Sequence, residues 1–147
     1  MRRKIIVVDD EPLFPILMKE IIEEDRELEI AYIATAKEEF LNTVKRYYFD
    51  VALIDISVGS REGGINLLQI MQNHETNMPL IMLSSHDELH YALKCLQAGA
   101  KGYMNKKYIC TDMIKCLKEV LKGNLFVSGE NGEHILRQYR KSNSLVV

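Results

Sequence analysis

Four apolar residues, Ile5-Ile6-Val7-Val8, run straight into three acids, Asp9-Asp10-Glu11. A short, continuous, β-branched run suits a strand buried on both faces, as in a parallel sheet. The same arrangement recurs along the chain. Val51-Ala52-Leu53-Ile54 ends on Asp55, and Leu80-Ile81-Met82-Leu83, preceded by Pro79, ends on Ser84-Ser85. Gly102-Tyr103-Met104 forms a shorter run, followed by Lys106. Glu29 to Ile33 is a less apolar strand, suited to a sheet edge.

Helical periods fill the intervals. Leu13, Leu17 and Ile21 recur at i, i+4, i+8, with Pro12 and Pro15 in the first turn, where a missing N–H costs little. Phe40, Val44 and Tyr47 or Tyr48 mark a second helix, and Ile65 to Met71 a third. His86-Asp87 caps a fourth, carried by Leu89, Leu93 and Leu96 and stopped by Gly99. Thr111 or Asp112 caps a fifth, carried by Ile114, Leu117 and Leu121 and ended by Gly123. Ser57 to Gly64 holds three glycines and no apolar period, so it reads as a loop. Five strands alternating with five helices predict an α/β fold, an open parallel sheet with helices on both faces. Beyond Gly123, Leu125-Phe126-Val127 is a short apolar patch, Glu133 to Tyr139 a helical stretch, and Lys141 to Val147 a linker or frayed end.

Composition narrows the function classes. The chain has 147 residues, 47% of them hydrophobic, enough for a buried core without disulfides or metal. Nineteen Lys and Arg against 21 Asp and Glu exclude nucleic-acid binding by bulk charge. No apolar run approaches the ~18 residues of a membrane span, and the run after Arg2-Arg3-Lys4 is too short for a signal peptide. Cys95, Cys110 and Cys116 are odd in number with no CxxC spacing, which predicts free thiols. The protein is expected to be cytoplasmic.

In open α/β sheets ligands gather at the carboxyl ends of the strands. Asp9-Asp10-Glu11, Asp55, Ser84-Ser85 and Lys106 all fall there. If their strands are neighbours, these side chains converge on one edge. Carboxylates within a few ångströms of each other repel, and a divalent cation relieves the repulsion. All-oxygen ligands suit Mg2+ before Zn2+, and such an ion keeps positions open for phosphate oxygens. A lysine and a serine hydroxyl beside it supply charge neutralisation and positioning, which is most of what phosphoryl transfer requires. Singly, each residue has a simpler explanation. Acids before a helix cap it and pair with its dipole for ~0.3–1 kcal/mol. An Asp or Ser after a strand is an ordinary loop residue, and Lys106-Lys107 an ordinary solvated pair. The specific signal is that all occur together, in order, at strand ends.

This set, together with Gly99-Ala100-Lys101-Gly102-Tyr103 before the lysine, resembles the receiver domain of two-component response regulators over roughly residues 3–122. The resemblance implies a doubly wound (βα)5, flavodoxin-like domain at 1–122 with a five-stranded parallel sheet of order 2-1-3-4-5. It implies that Asp55 is the phosphoacceptor, supplied by the phosphohistidine of a sensor histidine kinase. Asp10 then corresponds to the direct Mg2+ ligand and Asp9 to its water-mediated partner, with Asp55 and the backbone carbonyl of Ser57 completing the protein ligands. Lys106 corresponds to the phosphate-contacting lysine, Ser84 to the switch hydroxyl and Tyr103 to the aromatic that moves inward with it. Ser57 and His86 take the positions that tune dephosphorylation. Such a domain is not a turnover enzyme; it catalyses only its own phosphorylation and dephosphorylation.

The chain departs from the family pattern in one loop. Gly59 stands where proline is usual, and Glu62-Gly63-Gly64 replaces the usual Met/Asp-Gly turn. Phe14-Pro15 is unusual in the first helix. Residues 123–147 resemble the linker of NarL/FixJ-type regulators, which leads to a helix-turn-helix DNA-binding domain. The 24 residues after Gly123 are too few for that domain, so the expectation is a chain cut at the linker, or else a stand-alone receiver. DNA contact would come only through the absent domain, and pairing of two copies on phosphorylation is implied. Three other readings stand beside this one. An aspartyl-phosphate phosphohydrolase would have a second Asp where Ser57 lies. A flavin or nucleotide binder would show a glycine-rich loop after the first strand. A degenerate receiver would bind partners without phosphorylation.

Overall fold

The computed structural model describes residues 1–74, 76–85 and 89–144. Strands are β1 (Arg3–Val8), β2 (Leu28–Ala34), β3 (Val51–Asp55), β4 (Leu80–Ser84), β5 (Gly102–Asn105) and β6 (Phe126–Val127). Helices are α1 (Phe14–Glu23), α2 (Lys37–Arg46), α3 (Gly63–Gln72), α4 (Leu89–Gln97), α5 (Ile109–Leu121) and α6 (Gly132–Ser144), with a 3-10 turn at Lys106–Tyr108 before α5. The sheet is parallel throughout, in the order β2-β1-β3-β4-β5-β6. The expected order 2-1-3-4-5 is therefore present, extended by one strand. The sixth strand is the apolar patch after Gly123: Phe126 and Val127 pair with Gly102 and Tyr103 on the otherwise open edge of β5.

Alternation along the strands builds two cores. Ile6, Val8, Ala52, Ile54, Leu80 and Met82 point to one face, where they meet Phe40, Leu67, Leu68, Cys95 and Leu96 of α2, α3 and α4. Ile5, Val7, Val51, Leu53, Ile81 and Leu83 point to the other, against Met18 and Ile22 of α1 and Met113, Cys116 and Leu117 of α5. Because Ile5–Val8, Val51–Ile54 and Leu80–Leu83 are covered on both faces, these stretches of β1, β3 and β4 are apolar at every position, which is why they read as continuous runs. Cys95 and Cys116 are buried and Cys110 is exposed; all three are free. Helix α6 packs Ile135 and Leu136 into the first core beside Ala92 and Val127.

Several local expectations shift. Pro12 precedes α1 rather than entering it, and Pro15 alone lies in its first turn. Tyr47 and Tyr48 follow α2 and are exposed. Helix α5 starts at Ile109, continuing the turn at Lys106–Tyr108, so Thr111 and Asp112 are inside it. The Asp112 carboxylate instead accepts from Gly129 N–H at 3.0 Å and ties down the chain after β6. Lys141 to Ser144 are helical rather than frayed. Gly99 and Gly123 end their helices at φ +105° and +95°, as left-handed terminators do. His86 and Asp87, read as a cap, lie outside the described residues, as does the side chain of Leu89. Among the described residues no helix is long and apolar enough to cross a membrane.

Candidate functional site

The carboxyl ends of β1 and β3 are adjacent, and this alone brings Asp9 and Asp10 to Asp55. A ligand oxygen from each lies within 4.8 Å of the others. Asp9 is fully buried and Asp55 nearly so, while Asp10 is exposed. Lys106 reaches back from the end of β5. Its ammonium lies 3.0 Å from Asp9 Oδ2, 3.2 Å from Glu11 Oε2 and 3.4 Å from Asp55 Oδ2. The Phe14 ring covers it, with Nζ 4.4 Å from the ring centroid, a cation–π contact.

Burial and charge set the protonation of this cluster. Burial, with Asp55 as a like charge, pushes the Asp9 carboxyl up to about 6, against the Glu11 N–H and Lys106, which favour its anion. Burial works against the charge on Lys106, but Asp55, Asp9 and Glu11 outweigh it and hold its pKa above the ordinary value. Three carboxylates thus share the Lys106 ammonium, and Asp10 lies beside them. The donors are all oxygens, and a hard divalent cation fits such a set. Asp9, Asp10 and Asp55 are the residues that could hold it.

The loop after β3 is shaped around Asp55. Ser57 donates to Asp55 Oδ1 from both its N–H and its hydroxyl, each at 3.1 Å. Gly59 N–H donates to Asp10 Oδ2 at 3.1 Å, so the position where proline is usual holds the Asp10 carboxylate by its amide, a bond proline cannot make. Helix α3 begins hard against the strand it follows. A Cβ on Gly63 would lie 1.8 Å from Val58 O, and one on Gly64 2.1 Å from Asp55 O. The two glycines are therefore required by close approach, and Gly64 N–H closes the loop onto Ile56 O at 2.7 Å. Farther along, Glu62 bridges to Lys94 of α4 at 2.7 Å.

Ser84 is buried at the end of β4. It lines a cleft of about 210 Å3 together with Asp55, Ile56, Ser57, Arg61, Ser85 and Tyr91. Tyr103 is also buried, on β5, and borders a separate cavity of about 290 Å3 with Asn105, Tyr108, Val127, Ser128 and Ile135. The structure thus unites Asp9, Asp10, Asp55, Ser57 and Lys106, puts Ser84 beside them, and sets Tyr103 one strand away under β6. His86 lies outside the described residues.

A family model for the response regulator receiver domain matches residues 5–118. The chain belongs to that family. Among curated proteins, this receiver is 25% identical over 138 residues to the transcriptional regulatory protein DegU of Brevibacillus brevis, covering 94% of this chain and 58% of DegU. It is 24% identical over 126 residues to the response regulator UvrY of Escherichia coli K12, covering 86% and 57%. The receiver thus spans little more than half the length of these relatives. Among solved structures, a LuxR-family two-component response regulator from Aurantimonas superposes with a TM-score of 0.82 at 19% identity, covering 98% of this chain and 99% of that one. The isolated receiver of RcsB from Salmonella enterica, solved with the phosphomimetic BeF3-, gives 0.81 at 19% identity over 92% and 99%. These structures share the receiver fold.

Two neighbours of the cluster, Phe14 and Arg61, were not legible as site residues in the sequence, and a third, Glu11, was legible only in part. Glu11 had a signal, since it continues the acidic run after β1, but its pairing with a lysine 95 residues away is tertiary. Phe14 was visible only as an unusual residue. Arg61 gave no signal beyond being a lone cation in a glycine-rich loop.

Proposed function

We propose that this receiver accepts a phosphoryl group on Asp55 from the phosphohistidine of a sensor histidine kinase, with Mg2+, and that the altered surface controls an output, transcription. The observation that supports it most is the convergence of Asp9, Asp10 and Asp55 within 4.8 Å, with the Lys106 ammonium 3.4 Å from Asp55. In the transfer, an Asp55 oxygen forms a P–O bond as the P–N bond to histidine breaks, and the imidazole leaves. Mg2+, when bound, neutralises charge on the phosphoryl oxygens.

The chain's own residues do the rest. Asp9, Asp10 and Asp55, with the Ser57 carbonyl, hold the ion. Lys106 offers its ammonium to a phosphoryl oxygen. Ser57 donors fix the Asp55 carboxylate, and the Ser84 hydroxyl, at the edge of the same cleft, turns toward the new group. Phosphorylation adds ≈ −1.5 to −2 charge where four carboxylates already gather, so the local balance must change. Tyr103, in one core cluster with α4, β6 and α6 residues, is the residue we assign to carrying that change to the α4–β5 surface. Ser57 and His86 are the residues we assign to tuning phosphoryl loss. We assign residues 1–122 to the receiver and 123–147, which add β6 and α6 to its edge, to the segment that would join it to an output domain. DNA contact would come only through such a domain, and two copies of the receiver pair on phosphorylation.

The test is intact mass after incubation with acetyl phosphate and Mg2+, beside Asp55→Asn and a chelator control. The expected result is one added phosphoryl group, lost in both controls. No addition under any condition would favour a receiver that binds partners without phosphorylation.

A further inference from the structure

An exposed arginine in a loop is ordinarily a solvated charge. Arg61 differs in where it stands and in what it lacks. It lines the cleft of about 210 Å3 that contains Asp55, Ser57 and Ser84, and Lys106 is not among that cleft's lining residues. The nearest carboxylate in sequence, Glu62, is engaged by Lys94 at 2.7 Å. Among the described residues no carboxylate lies within 4.0 Å of the Arg61 guanidinium. Lys106, by contrast, is shared among three carboxylates.

The charge balance makes the difference useful. A phosphoryl donor brings a dianion to an edge where four carboxylates face one ammonium. Ser57 and Ser84 supply hydroxyls in the cleft but no charge. A guanidinium adds a fixed positive charge and a planar fork of N–H donors matched to phosphate oxygens. The loop that carries it is anchored downstream by the close packing of Gly63 against Val58 O and of Gly64 against Asp55 O at the end of β3, so Arg61 stays at the cleft.

We infer that Arg61 binds the phosphoryl oxygens of the incoming donor from the cleft side of Asp55, as a second cation in addition to Lys106. This rests on Asp55 being the phosphoacceptor. Arg61 moves no proton; it holds the donor while the Asp55 P–O bond forms and the donor's bond to its leaving group breaks. Since it binds the donor before and during transfer alike, its loss should raise the half-saturating donor concentration and leave the plateau rate nearly unchanged.

The experiment is the initial rate of phosphoprotein formation against acetyl phosphate concentration, by intact mass, in the parent, Arg61→Gln and Arg61→Lys. A charge-assisted contact, discounted for exposure, predicts about a tenfold rise in half-saturating acetyl phosphate for Arg61→Gln. Arg61→Lys should recover part of it, and added salt should narrow the gap. If the rate stays linear in donor, an initial slope lower by about tenfold is the equivalent result. A parent that takes up no phosphoryl group overturns the phosphoacceptor reading, and the inference with it. A parent that does, matched by Arg61→Gln in slope and half-saturation, overturns the Arg61 inference alone. A fall in plateau rate at unchanged half-saturation also overturns it.

Discussion

The two ends of the sheet differ in a way that separates space from chemistry. At the amino end a cavity of about 730 Å3 opens between α2, the end of α3 and the chain before β4, lined by residues including Lys45, Arg46, Tyr48, Asp50, His74 and Met78. It is more than three times the size of the cleft beside Asp55. Among the described residues that line it the one carboxylate, Asp50, is occupied locally. It takes Lys4 N–H at 2.7 Å, Tyr48 OH at 3.3 Å and the Arg3 guanidinium at 3.5 Å. Tyr47 and Tyr48 there are exposed. At the carboxyl end the space is small, but two buried carboxylates, a third beside them and one part-buried lysine meet across strands. A groove binds only what its walls can recognise, whereas like charges held together under burial create a demand for a cation. The site therefore follows from convergent charge rather than from volume.

The strongest way to break the comparison is to change the backbone packing at the carboxyl end. Gly64→Ala puts a methyl group on the Asp55 carbonyl, which the strand cannot yield without moving the acceptor. The expected loss is about 3 kcal/mol, at the upper end of overpacking costs, read from the urea midpoint. An unchanged midpoint would mean that the loop is not fitted against β3 as described.

A smaller effect sharpens the electrostatic half of the contrast. Asp9 has a folded pKa of about 6, raised above its ordinary value of 3.8. A raised carboxyl binds its proton more tightly when folded, so its contribution is full below about pH 4 and lost as pH climbs through 6. Without metal, Asp9→Asn should therefore gain stability on the parent between pH 4 and 7, by about 1–3 kcal/mol. Millimolar Mg2+ should shrink that gain. Thermal unfolding of both proteins at the two pH values, with and without Mg2+, measures it; a pH-independent difference would contradict the burial argument.

The smallest effect belongs to the amino end. Asp50→Asn weakens a surface ion pair and two hydrogen bonds, so it should cost about 1 kcal/mol or less. It should leave phosphoryl uptake at the parent rate, since Asp50 stands at the opposite end of the strands. A slowed uptake would tie the two ends together and undo the comparison.

Much of this was legible in the sequence, for a physical reason. Strands β1, β3 and β4 are buried on both faces, so Ile5–Val8, Val51–Ile54 and Leu80–Leu83 show as unbroken apolar runs, and the first polar residue after each marks the edge of the sheet. That edge is the site. Strand β6 was not legible, because two residues carry no period and pair only because β5 leaves an edge open. The start of α5 was misplaced because the turn at Lys106–Tyr108 hands over to it without a capping side chain. The contacts of Lys106 with Glu11 and Phe14 were out of reach because they join residues more than 90 positions apart.

Reductive trapping identifies the residue that carries the phosphoryl group. An aspartyl phosphate is reduced by borodeuteride, which labels the acceptor, and peptide mapping then finds the label. After treatment with acetyl phosphate and Mg2+, the account predicts label at position 55 and none with chelator. Label at Asp9, Asp10 or Asp50, or phosphoryl uptake with no reducible acyl phosphate, would contradict it.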